Sequence, residues 1–380
     1  MLVDSERNLD LLFGILVFAG WNQSHLHPLP IITNLVQLAI AVIADLGLNK
    51  PLTKSPQHTV LSYNARGCQK PVRPSKRTME ERRAVIGVFW LSSMVSTYFE
   101  RIDSLRWTPY LDECLNMLAE NQECSSDLLL SYLVRLQILY EKSCEATWHD
   151  HVDGSRSPNS ITMRFYMQAL LSQFEEVKKS IIPELQQSQT LLLSLYSTEH
   201  SIYEIAMAAP SPSDVLDYKH TEALLACLSA TKKWFELAFQ IPPAMYIAFS
   251  MAMFTQIAHA IITLYRLSTF EGVDWDRGLA KETAEFSATL KTFIGKMRQV
   301  KSAAGLDVGV AENVDVYFNT ANRLQTINDW WEAKVATEVA PPTMNTEVRD
   351  ECLANSIDDA WLKEIFGMEE YQFESYIQTI

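Results

Sequence analysis

Along most of the chain apolar residues recur every three or four positions, and clusters of proline, glycine or small polar residues interrupt them. That period predicts helices over 8–21, 30–47, 79–103, 126–146, 160–181, 185–208, 214–240, 243–268, 275–301 and 311–337. The interruptions are Pro28 and Pro30, Gly47 with Pro51, "GSRSPNS" at 154–160, "APSPSD" at 209–214 and "IPP" at 241–243. Asp214 and Asp274 stand where N-caps are expected, each able to accept from free backbone amides of a first turn. No stretch alternates with the period of two that a half-buried strand needs. The expectation is an all-α fold, a large multi-helix domain of roughly ten helices over residues 1–338. Residues 50–78 are Pro-rich, basic and without apolar period, which predicts a disordered loop. Residues 339–380 read as a linker followed by an acidic amphipathic segment.

Two helices depart from the usual one-sided pattern. In residues 79–107, Arg83, Trp90, Met94, Thr97 and Arg101 fall on one narrow stripe, and apolar residues fill much of the remainder. A helix so apolar touches neighbours on several sides, and an arginine in it needs a carboxylate or carbonyl partner. The arginines are therefore read as clamps between helices, with anion binding as the alternative. Residues 241–265 contain no Lys, Arg, Asp or Glu and are long enough to span a bilayer. However, Gln256, His259, Thr263 and Arg266 form a polar stripe at spacings of three and four, which suits a core helix with one hydrogen-bonded face. No membrane span is expected. Phe249 and Met253, with Gln256 and His259 as polar handles, are candidates for an effector pocket in that helix, against the plainer reading of ordinary core.

Composition sharpens this picture. Only 12 of 380 residues are glycine, which favours long helices. The net charge is −14, and residues 347–374 hold nine acids against two basic residues, so about half of it lies near the C-terminus. Such a chain repels phosphate backbones, and direct DNA binding by it is not expected. Six scattered cysteines without a C-x-x-C pair point to buried thiols in a reducing intracellular compartment. Arg66, Lys70, Arg73, Lys76 and Arg77 form a basic loop, read as a solvated surface with an import or phosphate-binding role as the alternative.

The chain lacks the motifs of common enzymes: no G-x-G-x-x-G, Walker loop, G-x-S-x-G or H-E-x-x-H. The pairs His25/His27 and His149/His151, the latter beside Asp150 and Asp153, have no third imidazole or thiolate at ligand spacing and are read as solvated. Asp358–Asp359 lacks a spaced partner carboxylate. No catalytic residue, metal ligand or enzyme activity is assigned.

Three phrases in order carry a resemblance: "AIAVIADLGLNKP" (39–51), a variable loop, and "MEERRAVIGVFW" (79–90) with Arg101 following. Together with "SSDLLLSYLVRLQILYEK" (125–142), "YRLSTFEGVDWDRG" (265–278) and "DDAWLKEIF" (358–366), they resemble the fungal-specific transcription-factor regulatory domain. That domain is the middle region of binuclear zinc-cluster (Zn2Cys6) transcription factors. Arg82, Arg83, Trp90 and Arg101 match its structural signature, whereas Ala84 replaces a third arginine and Glu100 an aspartate. The six-cysteine zinc-cluster head is not present in this sequence.

The resemblance implies a nuclear transcription regulator that acts through an effector or partner, controls a metabolic or secondary-metabolite gene set, and does no chemistry. No cofactor is expected within the chain, zinc entering only with a cluster encoded upstream. The implied partners are the transcription machinery or a coactivator, a second copy, or an intact zinc-cluster regulator. Trp361, Leu362, Ile365 and Phe366 lie on one helical face among acids and are the candidate coactivator contact, the alternative being a helix that docks on the domain. The rival functions are a small-molecule-sensing helical domain or a dimerisation partner without DNA binding of its own, and, least favoured, an enzyme with an apolar pocket.

Overall fold

A computed structural model describes residues 7–21, 30–52, 76–99, 102–148, 160–208, 218–272, 275–306 and 316–339. These residues contain helices and no strand: α1 (Leu9–Trp21), α2 (Pro30–Leu46), α3 (Met79–Phe99), α4 (Pro109–Asn121), α5 (Asp127–Trp148) and α6 (Ser160–Ser180). They continue as α7 (Gln189–Ala208), α8 (Tyr218–Gln240), α9 (Met251–Thr269), α10 (Arg277–Thr283), α11 (Phe286–Ala303) and α12 (Val316–Val339). The fold is all-α.

The helix expected from 185 starts at Gln189, after a 3-10 turn at Pro183–Leu185, and three further departures from the sequence pattern have local reasons. The segment 109–121 carries a helix that the pattern left out. Thr108 caps it by accepting from the Leu111 amide, Pro109 supplies the fixed φ of the first turn, and Leu111, Cys114, Leu115 and Leu118 make its buried stripe. The expected helix over 243–268 opens as a 3-10 turn at Pro243–Ala248, and α9 proper starts at Met251. The expected helix over 275–301 is two helices, because Glu285 turns to cap α11 through the Ser287 and Ala288 amides. Asp214 and Asp274 lie outside the described residues; the cap before α10 is Asp276, which accepts from Gly278 and Leu279.

Two hydrophobic clusters share α5. One joins α1 to α5 through Leu12, Ile43, Val85, Ile86, Phe89, Leu111, Leu115 and Val134. The other joins α5 to α12 around Leu136, Leu170, Leu224, Trp234, Tyr246, Phe293 and Leu324. A smaller cluster (Val36, Leu91, Met94, Val95, Met251 and Ala252) ties α2 and α3 to the start of α9. Helix α9 is buried on nearly every side, packing on α7, α8, α10 and α11 and touching α1. None of the helices among the described residues is long and apolar enough to cross a membrane.

The start of α3 is set by a capping box: the Thr78 hydroxyl accepts from the Glu81 amide at 3.1 Å, and Glu81 Oε2 accepts from the Thr78 amide at 2.9 Å. Such a box contributes about 1 kcal/mol. Arg77 does not belong to a solvated basic loop. Its side chain is 9% exposed, donates to the Gly47 and Lys50 carbonyls, and pairs with Glu81. It thereby seals the C-terminus of α2, where Gly47 takes φ 67°, a conformation glycine adopts without a Cβ clash. The segments "DLGL" and "RTMEERR" are thus in direct contact. Arg66, Lys70 and Arg73 lie outside the described residues.

Candidate functional site

The site grows from the polar stripe of α9. Because this helix is enclosed, each polar side chain on it must find a partner or leave a buried group unbonded. Gln256 Nε2 donates to Ser194 Oγ at 3.3 Å. Thr263 turns back on its own helix, its Oγ1 donating to the His259 carbonyl at 2.9 Å. His259 Nε2 lies 2.7 Å from Glu204 Oε2, and Arg266 Nη1 donates to Glu204 Oε1 at 3.1 Å. One carboxylate of α7 therefore receives two cationic or donor groups of α9 set seven residues apart.

The network extends into α3 and α5. With Nε2 donating to Glu204, His259 Nδ1 accepts from the Tyr140 hydroxyl at 2.8 Å. Tyr98, close to Tyr140 and stacked parallel to it, donates to the Thr255 carbonyl. His200 of α7 completes the group: its ring centroid lies 4.7 Å from that of His259. It is fully buried, and neither ring nitrogen has a hydrogen-bond partner among the described residues. Ser143 and Ser201 share a 2.7 Å bond beside it, Cys144 Sγ lies 3.7 Å from Ser201, and Cys227 Sγ donates to the His200 carbonyl.

The electrostatics follow from burial and pairing. Burial pushes the Glu204 carboxyl up, but the His259 imidazole and the Arg266 guanidinium outweigh it and bring the pKa down to about 2. Burial, aided by the neighbouring His259, pushes His200 well below the ordinary histidine range. Burial pushes the Cys144 thiol up to about 12 and raises Cys227 as well, so both remain protonated. Ligand atoms of His200, Glu204 and His259 all lie within 4.8 Å of one another.

Next to this network, Trp90, Met94 and Tyr98 of α3, Tyr140 of α5, Ser197 of α7 and Gln256 of α9 line a cavity of about 30 Å³. That is room for a water molecule or two. Ser197 Oγ and Gln256 Oε1 have no hydrogen-bond partner among the described residues. Gln256 and His259 thus share the polar stripe, whereas Phe249 and Met253 turn into the main core, Phe249 stacking on Tyr246 at 4.4 Å between centroids.

On α3, Arg83 makes a two-pronged bond to Asp127, with Nε to Oδ1 at 2.7 Å and Nη2 to Oδ2 at 2.9 Å, and a further bond to Glu123 at 3.1 Å. Asp127 is 1% exposed and also accepts from the Cys124 amide. The Arg83 hydrogen bond, against the opposing effect of burial, holds the Asp127 carboxyl below the usual range. Arg82 lies one residue away, and its Nε and Nη1 have no hydrogen-bond partner among the described residues. Trp90 packs between the α1–α5 cluster and the smaller one. Arg101, the His25/His27 and His149/His151 pairs, Trp361, Leu362, Ile365 and Phe366 lie outside the described residues. The pattern of the sequence marked His259 and its stripe but not Tyr98, Tyr140, His200 or Glu204. The one available signal was the i,i+4 spacing of His200 and Glu204, which is also common on solvated helix faces.

The family described as ATEG07667_C, C-terminal domain, matches residues 243–379. The chain is 34% identical over 310 residues to a protein of Penicillium oxalicum named transcription factor opdL, which covers 80% of this chain and 55% of that relative. It is 26% identical over 221 residues to a transcription factor of Aspergillus terreus (54% of this chain, 37% of the relative). Transcription factor himD of Aspergillus japonicus is 23% identical over 386 residues (98% of this chain, 62% of the relative). No solved structure matches the chain. The relatives are thus fungal proteins named transcription factors, and this chain is similar to them over much of its own length while spanning about half of theirs.

Proposed function

We propose that the chain is the regulatory part of a fungal transcription regulator, working in the nucleus through bound partners and doing no catalysis. The observation that carries this is the similarity to transcription factor opdL over 80% of the chain. The physics agrees: a net charge of −14 disfavours contact with a nucleic-acid backbone, and Arg77 and Arg83 are used inside the fold. The finer reading keeps the partners expected from the sequence. A coactivator or the transcription machinery would be met by Trp361, Leu362, Ile365 and Phe366, and DNA contact would be made by a zinc-cluster head in the same longer protein or in a dimer partner.

The test is a reporter assay with residues 1–380 fused to an unrelated DNA-binding module. Reporter output is expected to change at least several-fold against the module alone, and a fusion ending at residue 344 is expected to lose that effect. No change from a fusion expressed at equal level would sink the regulatory reading; an undiminished effect from the shorter fusion would sink only the coactivator segment.

A second reading, small-molecule sensing, is favoured by Ser197 and Gln256, which line one cavity and whose Oγ and Oε1 have no hydrogen-bond partner among the described residues. An effector would bond to both and widen the space beside Trp90 and Met94. Native mass spectrometry of protein purified from the producing cells is expected to find a retained small molecule in the wild type that is lost in Gln256→Leu. Repeatedly empty wild-type protein counts against this reading.

A further inference from the structure

We propose that His200, Glu204 and His259 bind one first-row divalent metal ion of the zinc type. His200 and Glu204 are one helical turn apart on α7 and so present to the same side, and His259 of α9 faces them. Their ligand atoms already lie within 4.8 Å of each other, a spread that small side-chain rotations close to bonding distance. Two imidazoles and one carboxylate suit zinc, cobalt(II), nickel(II) or iron(II), and are a poor set for calcium or magnesium, which take oxygen ligands. The inference is independent of the regulatory reading above.

His200 is the observation that points to a ligand. A fully buried imidazole with both nitrogens unbonded is a burden on the fold unless something occupies it. Burial works against its protonation, so its lone pair is available to a metal. The nearby thiols are not competitors: Cys144 faces Ser201 and Cys227 donates to a carbonyl. The ion would thus have three protein ligands and one open position, the pattern of sites that keep a water or take a further ligand.

The surrounding groups orient these ligands. Arg266 holds Glu204 by Oε1 and leaves Oε2 to His259. Tyr140 sits on His259 Nδ1, so Nε2 is the nitrogen aimed at the site. On binding, the His259 proton moves from Nε2 to Nδ1, where the Tyr140 oxygen accepts it, and the Tyr140 hydroxyl proton turns toward Tyr98. The metal thus takes the place of one proton between His259 and Glu204, with none released. Arg266 opposes a second positive charge, but its side chain is 32% exposed and its charge is shared with solvent. His259 is 14% exposed, which gives the ion a way in from solvent.

The experiment uses the full chain, stripped with a chelator and then titrated with Zn²⁺ or Co²⁺ alone. Metal per chain is counted after gel filtration, and the cobalt spectrum reports the ligand set. One ion per chain is expected, with imidazole–oxygen ligand-field bands and a higher thermal midpoint. His200→Leu removes no hydrogen bond of that side chain, so it should keep the metal-free midpoint and lose about 100-fold or more in affinity. Tyr140→Phe should weaken binding by about 10–100-fold. Glu204→Gln, which keeps the side-chain shape, must also lose binding, and it decides the matter should His200→Leu not fold. A wild type that retains no ion overturns the proposal. So does a variant that retains one as tightly as the wild type, because the metal then sits on other histidines.

Discussion

Glu204→Ala in metal-free protein is expected to lower the unfolding free energy by about 3 kcal/mol, the size of lost hydrogen bonds to a charged group together with a buried donor left unsatisfied. Glu204 is 5% exposed, and its carboxylate meets both His259 and Arg266. Its loss leaves the His259 Nε2 proton without an acceptor inside α9's packed surroundings, whereas Arg266 can turn to water. The penalty therefore comes mostly from the histidine side, and His259→Leu combined with Glu204→Leu should cost less than the sum of the two single changes. Urea unfolding of the four proteins measures this. Strictly additive costs would mean the two side chains are not coupled.

The same pair fixes a pH dependence. The folded Glu204 carboxyl ionises near 2, against an ordinary value of 4.5. A depressed carboxyl contributes stability that is complete above the unfolded value and is lost as pH falls toward the folded one. The contribution is about 3 kcal/mol at neutral pH, of which about 2 kcal/mol is gone by pH 3. Unfolding of the wild type and of Glu204→Gln across pH 3–7 should therefore converge on the acid side. A gap that stays constant with pH would show that Glu204 is not held as the charged partner.

The apolar period placed most helices, because enclosure of one face is what the period records. It passed over α4, whose four buried positions are interleaved with Asp112, Glu113 and Asn116 in a short helix. The stripe Gln256, His259, Thr263 and Arg266 was legible because four polar residues on an uncharged helix imply hydrogen bonding. Its partners were not. Tyr140 lies 119 residues from His259 and Glu204 lies 55 away, and no local pattern links such distances. His200–Glu204 on a surface helix would be an ordinary solvated pair, and only the burial of α7 gives it meaning. Arg83 was legible in the same partial way: its need for a carboxylate follows from the apolar helix around it, but the choice of Asp127, 44 residues on, depends on how α5 starts.

That bond gives the second large effect. Arg83→Met is expected to cost about 3–5 kcal/mol, because it leaves the Asp127 carboxylate 1% exposed with the Cys124 amide as its remaining partner shown here. Arg83→Lys should recover no more than about half, since an ammonium supplies the charge without the planar fork that meets both carboxylate oxygens. Arg83→Met with Asp127→Asn should be milder than the two changes added, because no unpaired charge is then buried. The position of the damage is also specified. Arg83 ties α3 to the first residue of α5, the helix shared by the two main clusters. Hydrogen exchange in Arg83→Met should accelerate first in α1 to α4, whose cluster is the smaller, while α7 to α9 stay protected. Uniform acceleration through both clusters would mean that this bond stabilises the whole fold as one unit; faster exchange confined to α1–α4 would place it as the bolt of the N-terminal half.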